Sequence, residues 1–154
     1  MNRIIRVVTI SIMLVGLSVC SAYASDGWEL QLKVSAGHVS SKVSFGQQVD
    51  ATAGRDGYYD VPAMLSGSLQ AAFLNGGGTL WRDIRSAGAG EWQLQIDSQV
   101  GEPVSLSWNS QDLPAGVTLK LFNAVSGDVV DMTSASTYTI ADKSGCDLLI
   151  RAGI

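Results

Sequence analysis

From Trp28 onward the chain alternates apolar and polar residues with a period of two, and nothing else in the sequence constrains its fold as strongly. Trp28, Leu30, Leu32 and Val34 are interleaved with Glu29, Gln31 and Lys33. The pattern recurs at Val43 and Phe45, at Leu69, Ala71 and Phe73, at Trp92, Leu94 and Ile96, and at Val104, Leu106 and Trp108. It continues through Val117, Leu119 and Leu121, then Val129–Met132, Tyr138 and Ile140, and ends at Leu148 and Ile150. Successive side chains of a strand point to opposite faces, so each run describes a half-buried strand. Turn formers separate the runs, among them Asn75-Gly76-Gly77-Gly78, Gly101-Glu102-Pro103 and Ser126-Gly127-Asp128. No interval carries apolar residues at helical spacing over three turns. The expected fold is therefore all-β, an immunoglobulin-like antiparallel β-sandwich with Greek-key connections, and a closed barrel is the alternative because periodicity does not separate stacking from closure.

The amino terminus has a different character. Arg3 and Arg6 precede an uncharged run, Val7–Val19, that is shorter than the roughly 20 residues needed to span a bilayer. It leads to Ala22-Tyr23-Ala24, a small-x-small cleavage signal. Residues 1–24 are read as a signal peptide and residues 25–154 as one domain, exported to the periplasm or the extracellular space, with no retained membrane span. Losing Arg3 and Arg6 from the ten basic residues leaves eight against fourteen acidic ones, a net charge of −6. No cations cluster, which argues against nucleic acid as a partner. Cys20 leaves with the leader, so Cys146 is alone in the mature chain and no internal disulfide is expected.

Residues 46–62, Gly-Gln-Gln-Val-Asp-Ala-Thr-Ala-Gly-Arg-Asp-Gly-Tyr-Tyr-Asp-Val-Pro, interrupt the alternation and are too long for a tight hairpin. Loops of this length in compact domains are functional or ordered by their own contacts, which makes this the first place to look for a site. Asp50, Asp56 and Asp60 provide hard oxygen ligands within eleven residues, so a calcium ion is one reading. The spacing does not follow an EF-hand, and the simpler reading has these aspartates capping turns, with Arg85 clamping the loop through one of them. Trp28, Trp92 and Trp108 fall on the apolar faces of their strands. Trp81 opens Trp81-Arg82-Asp83-Ile84-Arg85, where Asp83 and Arg85 share its parity, so either the tryptophan faces outward or two charges face inward. An outward Trp81 with Tyr58 and Tyr59 would form an aromatic platform for a glycan.

The ordered elements Phe45-Gly46, Asp50-Ala51-Thr52, Asp56–Pro62, Trp81–Arg85, Trp92 and Leu106-Ser107-Trp108 resemble an immunoglobulin-like or fibronectin-type-III-like module found near the carboxyl ends of large secreted bacterial proteins. That resemblance implies a β-sandwich serving as spacer, stabiliser or binding unit, with no catalytic residues to carry over. The sequence closes on Leu148–Ile154 without a sorting tail, which favours a free-standing binding subunit over a spacer. His38 is the only histidine, too few for a multi-histidine metal site, and it follows Ala36-Gly37 in an expected hairpin turn, where an exposed loop residue is a simpler reading than a catalytic base or ligand. Asp56 and Asp60 could in principle act as a glycosidase pair, but nothing fixes their separation. The expected function is a non-enzymatic exported module offering a protein-interaction surface in an envelope or secreted assembly. A small carbohydrate-binding module and a calcium-dependent adhesive domain are the alternatives.

Overall fold

The structure is a computed structural model that describes residues 27–88, 90–141 and 146–153. The expected leader and its cleavage site at Ala24 lie outside these residues. Eleven strands follow one another: β1 (Trp28–Ala36), β2 (Val39–Gln48), β3 (Val61–Pro62), β4 (Leu69–Asn75), β5 (Gly78–Ser86), β6 (Glu91–Ser98), β7 (Val104–Ser107), β8 (Thr118–Asn123), β9 (Val129–Asp131), β10 (Thr137–Ile140) and β11 (Cys146–Gly153). The described residues contain no α-helix, only a 3-10 turn at Ser110–Asp112, and no helix long and apolar enough to cross a membrane. Burial follows the alternation closely: β1 reads buried, exposed, buried, exposed from Trp28, and β6 does the same in antiphase from Glu91.

The hydrogen bonds give one continuous mixed sheet, where two separate antiparallel sheets were expected. Its order is β10-β7-β1-β2-β5-β4-β6-β11-β8-β9, with β3 added against β5. The two end strands, β9 and β10, are consecutive in the chain, so the sheet curls until its ends meet and is nearly closed into a barrel. Trp108 reaches across the seam, donating from its indole Nε1 to the Met132 carbonyl (2.9 Å), while its backbone N–H extends the β7–β10 pairing to the Ser136 carbonyl (3.0 Å).

One contact is parallel, β2 with β5, from Ser44↔Arg82 to Gln48↔Ser86. Parallel neighbours need a long crossover, and the segment from Val49 through β3 and β4 provides it. β5 is the corner of the sheet. Its first half pairs with β4 through Gly78, Thr79 and Leu80, and its second half leaves β4 for β2. The β4–β5 turn runs through Gly76 and Gly77 at φ 59° and 79°, angles that a side-chain-bearing residue adopts only at a cost.

Inside the sheet, Trp28, Phe45, Phe73 and Trp92 form an aromatic centre with ring centroids 5.1 to 5.7 Å apart, in tilted and edge-on arrangements. Leu30, Leu32, Leu94, Leu106, Leu119, Leu121 and Leu148 surround it, all fully buried. Trp28, Trp92 and Trp108 are thus core residues, as their strand faces require. Cys146 is also buried, and His38 sits exposed in the β1–β2 turn.

Candidate functional site

The long segment between β2 and β3 is an ordered strap, fixed by its own polar groups. It leaves β2 through a turn in which Ala51 N–H donates to the Gln48 carbonyl (3.3 Å), and the Thr52 carbonyl then accepts from Ser86 N–H at the end of β5 (3.0 Å). Ala51 is buried there, as is Ile84, which lies outside the main hydrophobic cluster.

Asp60 is the keystone of the strap. It is 6% exposed, and its two oxygens accept from backbone amides of different elements, Asp56 N–H (2.6 Å) and Ile84 N–H (2.9 Å). Asp56 caps the turn itself, accepting Tyr58 N–H on Oδ1 (3.0 Å) while its carbonyl accepts Asp60 N–H (2.8 Å). Asp50 accepts the Tyr59 hydroxyl proton. That bond, with the nearby Asp50 charge, opposes ionisation of the phenol and pushes the Tyr59 pKa up to about 12. The three aspartates therefore act as turn and latch acceptors. They do not converge on a point, and no group of three acidic, histidine or cysteine side chains among the described residues is arranged to hold a metal ion.

The loop clamp is Arg82, where the sequence pointed to Arg85. Arg82 donates from Nη1 to the Tyr59 carbonyl (2.6 Å) and grips Glu29 of β1 with Nε and Nη2 (3.0 and 2.7 Å). This fork lowers the Glu29 pKa, by its hydrogen bonds first and its charge second. Arg85 turns the other way. It forks onto Asp83 (Nε to Oδ1 3.1 Å, Nη2 to Oδ2 2.8 Å), donates to the Glu91 carbonyl and lies 5.8 Å from the centroid of the Trp92 ring. Asp83 is fully buried and also accepts from Asn75 Nδ2 (3.0 Å).

Of the two outcomes left open by the parity of residues 81–85, the structure has Asp83 inside, with Arg85 half-buried against it. Arg82 shares the outer face with Glu29, because Ser44↔Arg82 and Glu29↔Gly46 are in register. Asp83, opposite Phe45, points into the interior. Trp81 is half-buried and packs against the core, so the expected three-ring platform does not form. Tyr58 and Tyr59 touch each other edge-on, with centroids 4.9 Å apart and planes at 84°, and Trp81 makes no ring contact with either.

What the strap does present is apolar. Seven large hydrophobic side chains are exposed among the described residues, and five of them, Val49, Tyr58, Val61, Met64 and Leu65, fall within residues 49–65. Tyr58 is 85% exposed and Met64 75%. Sequence reading found Tyr58 but not Met64 or Leu65, which belong to no alternating run and look like ordinary linker. Compared with family models, curated proteins and solved structures, the chain matches none.

Proposed function

We propose that this chain is a non-enzymatic exported module, related in kind to immunoglobulin-like domains, that docks through residues 49–65 on another protein of an envelope or secreted assembly. The observation that supports this reading most is the gathering of Val49, Tyr58, Val61, Met64 and Leu65 on one strap while the rest of the described surface exposes only Val125 and Val129 among large apolar side chains. Apolar groups concentrated in one surface region mark interaction sites, and tyrosine and methionine serve such surfaces well: tyrosine gives a large rigid contact, methionine an adaptable one. The fixed strap adds to this, since a surface already held in shape loses little freedom on binding.

The partner is expected to cover the strap with side chains instead of adding a strand to it. β3 contributes only Val61 and Pro62, and proline has no N–H to offer a new neighbour. The test is a photo-crosslinking amino acid at position 58, introduced into the natively expressed chain, with position 40 on β2 as control. A discrete crosslinked species from position 58, absent from position 40 and lost when Met64→Ser and Leu65→Ser are added, is the expected result. Equal crosslinking from both positions, or none from position 58, would remove the proposal.

A further inference from the structure

We propose that the outward face of β4, β6 and β11 carries a saccharide-binding groove, separate from the docking strap in its chemistry and touching it only at Leu65. A cavity of about 280 Å³ opens there, lined by Leu65, Gln70, Ala72, Gln95, Asp97 and Asp147 and reaching Ile96 and Cys146. The sheet register explains its shape. Gln70 stands opposite Asp97 and Ala72 opposite Gln95, and Gln95 in turn stands opposite Asp147. Ala72 alternates with Ala71 and Phe73 of the core and is itself buried, so only a single small methyl lies beneath the middle of the floor and leaves a depression. Leu65 supplies an apolar wall on one side.

The polar wall decides the ligand class. Each carboxylate has a carboxamide as its cross-strand neighbour, Asp97 with Gln70 and Asp147 with Gln95. Gln70 Nε2 donates to the Gly67 carbonyl (3.1 Å), which fixes that side chain and leaves its own oxygen as an acceptor. Beyond the backbone ladders of their strands, the side chains of Gln95, Asp97 and Asp147 form no hydrogen bond or ion pair with other described residues. A carboxylate only accepts, while a carboxamide both accepts and donates. Adjacent sugar hydroxyls need both, because each donates one hydrogen bond and accepts others, and the C–H face of the ring needs an apolar surface, which the exposed Leu65 provides. A bare cation would be served by acceptors alone and would leave the amide donors of Gln95 without a use. The volume falls near the lower end of the roughly 300–1,000 Å³ usual for small-molecule sites, which suits a short stretch of a glycan chain lying across an open groove.

The experiment is titration calorimetry of the full chain with cellohexaose, chitohexaose and mannohexaose, and with hexalysine as the cationic alternative. Binding of at least one of the three sugars is expected. Asp97→Asn and Asp147→Asn, which keep the shape of exposed side chains, should each weaken it about tenfold or more, while Lys42→Ala on β2 should leave it unchanged. Unaltered circular dichroism in the variants would show that the fold is intact. No heat with any of the three sugars, unchanged sugar affinity in both aspartate variants, or hexalysine binding that depends on the aspartates in the absence of sugar binding would each overturn the proposal.

Discussion

Asp60→Ala should be the most damaging single change in the strap. The side chain is 6% exposed and accepts Ile84 N–H, a buried strand amide, together with Asp56 N–H, which is partly open to solvent. Hydrogen bonds to a charged acceptor are worth about 1.5–3 kcal/mol each, and a buried donor left without a partner incurs its desolvation cost. Taking about 2 kcal/mol for the Ile84 bond and about 1 for the Asp56 bond gives roughly 3 kcal/mol of destabilisation. With a urea m-value of about 1.5–2 kcal/mol/M, the unfolding midpoint should fall by roughly 1.5–2 M. Asp56→Ala removes one bond to the exposed Tyr58 amide and should cost only about 1 kcal/mol. Tryptophan fluorescence follows the transition, and hydrogen exchange at Ile84 N–H reports the bond itself. Equal midpoints for the two variants, or an Ile84 amide as protected in Asp60→Ala as in the parent, would refute the keystone role.

Trp108→Ala empties a buried site and frees the Met132 carbonyl, so about 3–5 kcal/mol should be lost, whereas Ser107→Ala should be nearly silent in the same urea titration. Arg85→Met leaves the fully buried Asp83 without its counter-ion and should cost about 3–5 kcal/mol; adding Asp83→Leu should recover part of that loss in thermal melts. The raised Tyr59 pKa means its latch to Asp50 favours the folded strap at pH values below the ordinary tyrosine value of 10 and weakens as pH climbs from 10 through about 12. An ultraviolet tyrosinate titration should show a late phase near pH 12 that Tyr59→Phe abolishes. Glu29 works in the opposite sense: its lowered pKa adds stability above 4.5 that disappears as pH falls through the folded-state value, a loss that Arg82→Met should remove from the acid unfolding curve. Added calcium should leave the melting temperature unchanged, and a rise of several degrees abolished by Asp56→Ala would contradict the turn-capping role of these aspartates.

Strands were legible because a half-buried strand writes its burial into every second residue, and Trp28–Val34 and Trp92–Ile96 do so without exception. The parallel β2–β5 contact and the near closure of the sheet were not legible, since side-chain parity is the same whichever way a neighbour runs. A clue existed at Trp81–Arg85. Charges and apolar residues there fit neither face cleanly, and the reason is that β5 changes partners in mid-strand and carries Asp83 into the interior, with Arg85 half-buried against it. The clamp was misassigned for a related reason. Arg82 and Arg85 lie on opposite faces of one strand, and only the path of the strap, which crosses the outer face, selects Arg82. The aspartates of the strap were readable as turn acceptors because Asp and Asn in a glycine-rich segment commonly bond backbone amides nearby. Asp60 goes further by reaching Ile84, twenty-four residues away, and no local pattern records that distance.

The two halves of the strap differ in a way that bears on how it could serve as a docking surface. Residues 51–60 are tied to the rest of the protein and to one another by several polar bonds: Thr52 to Ser86, Asp56 and Asp60 to backbone amides, the Tyr59 carbonyl to Arg82 and its hydroxyl to Asp50. Residues 61–65 have fewer, Ala63 N–H to the Thr79 carbonyl being the tie to β5 beyond β3 itself. Tyr58 is therefore carried on a braced turn, and Met64 and Leu65 on a lightly held one. A braced anchor sacrifices little side-chain and backbone freedom when a partner covers it, while a lightly held neighbour can adjust to the partner's contour. The placement of charge fits this division. Glu29 and Arg82 neutralise each other where Arg82 holds the Tyr59 carbonyl, so the clamp of the braced half brings no uncompensated charge of its own to the exposed tyrosine.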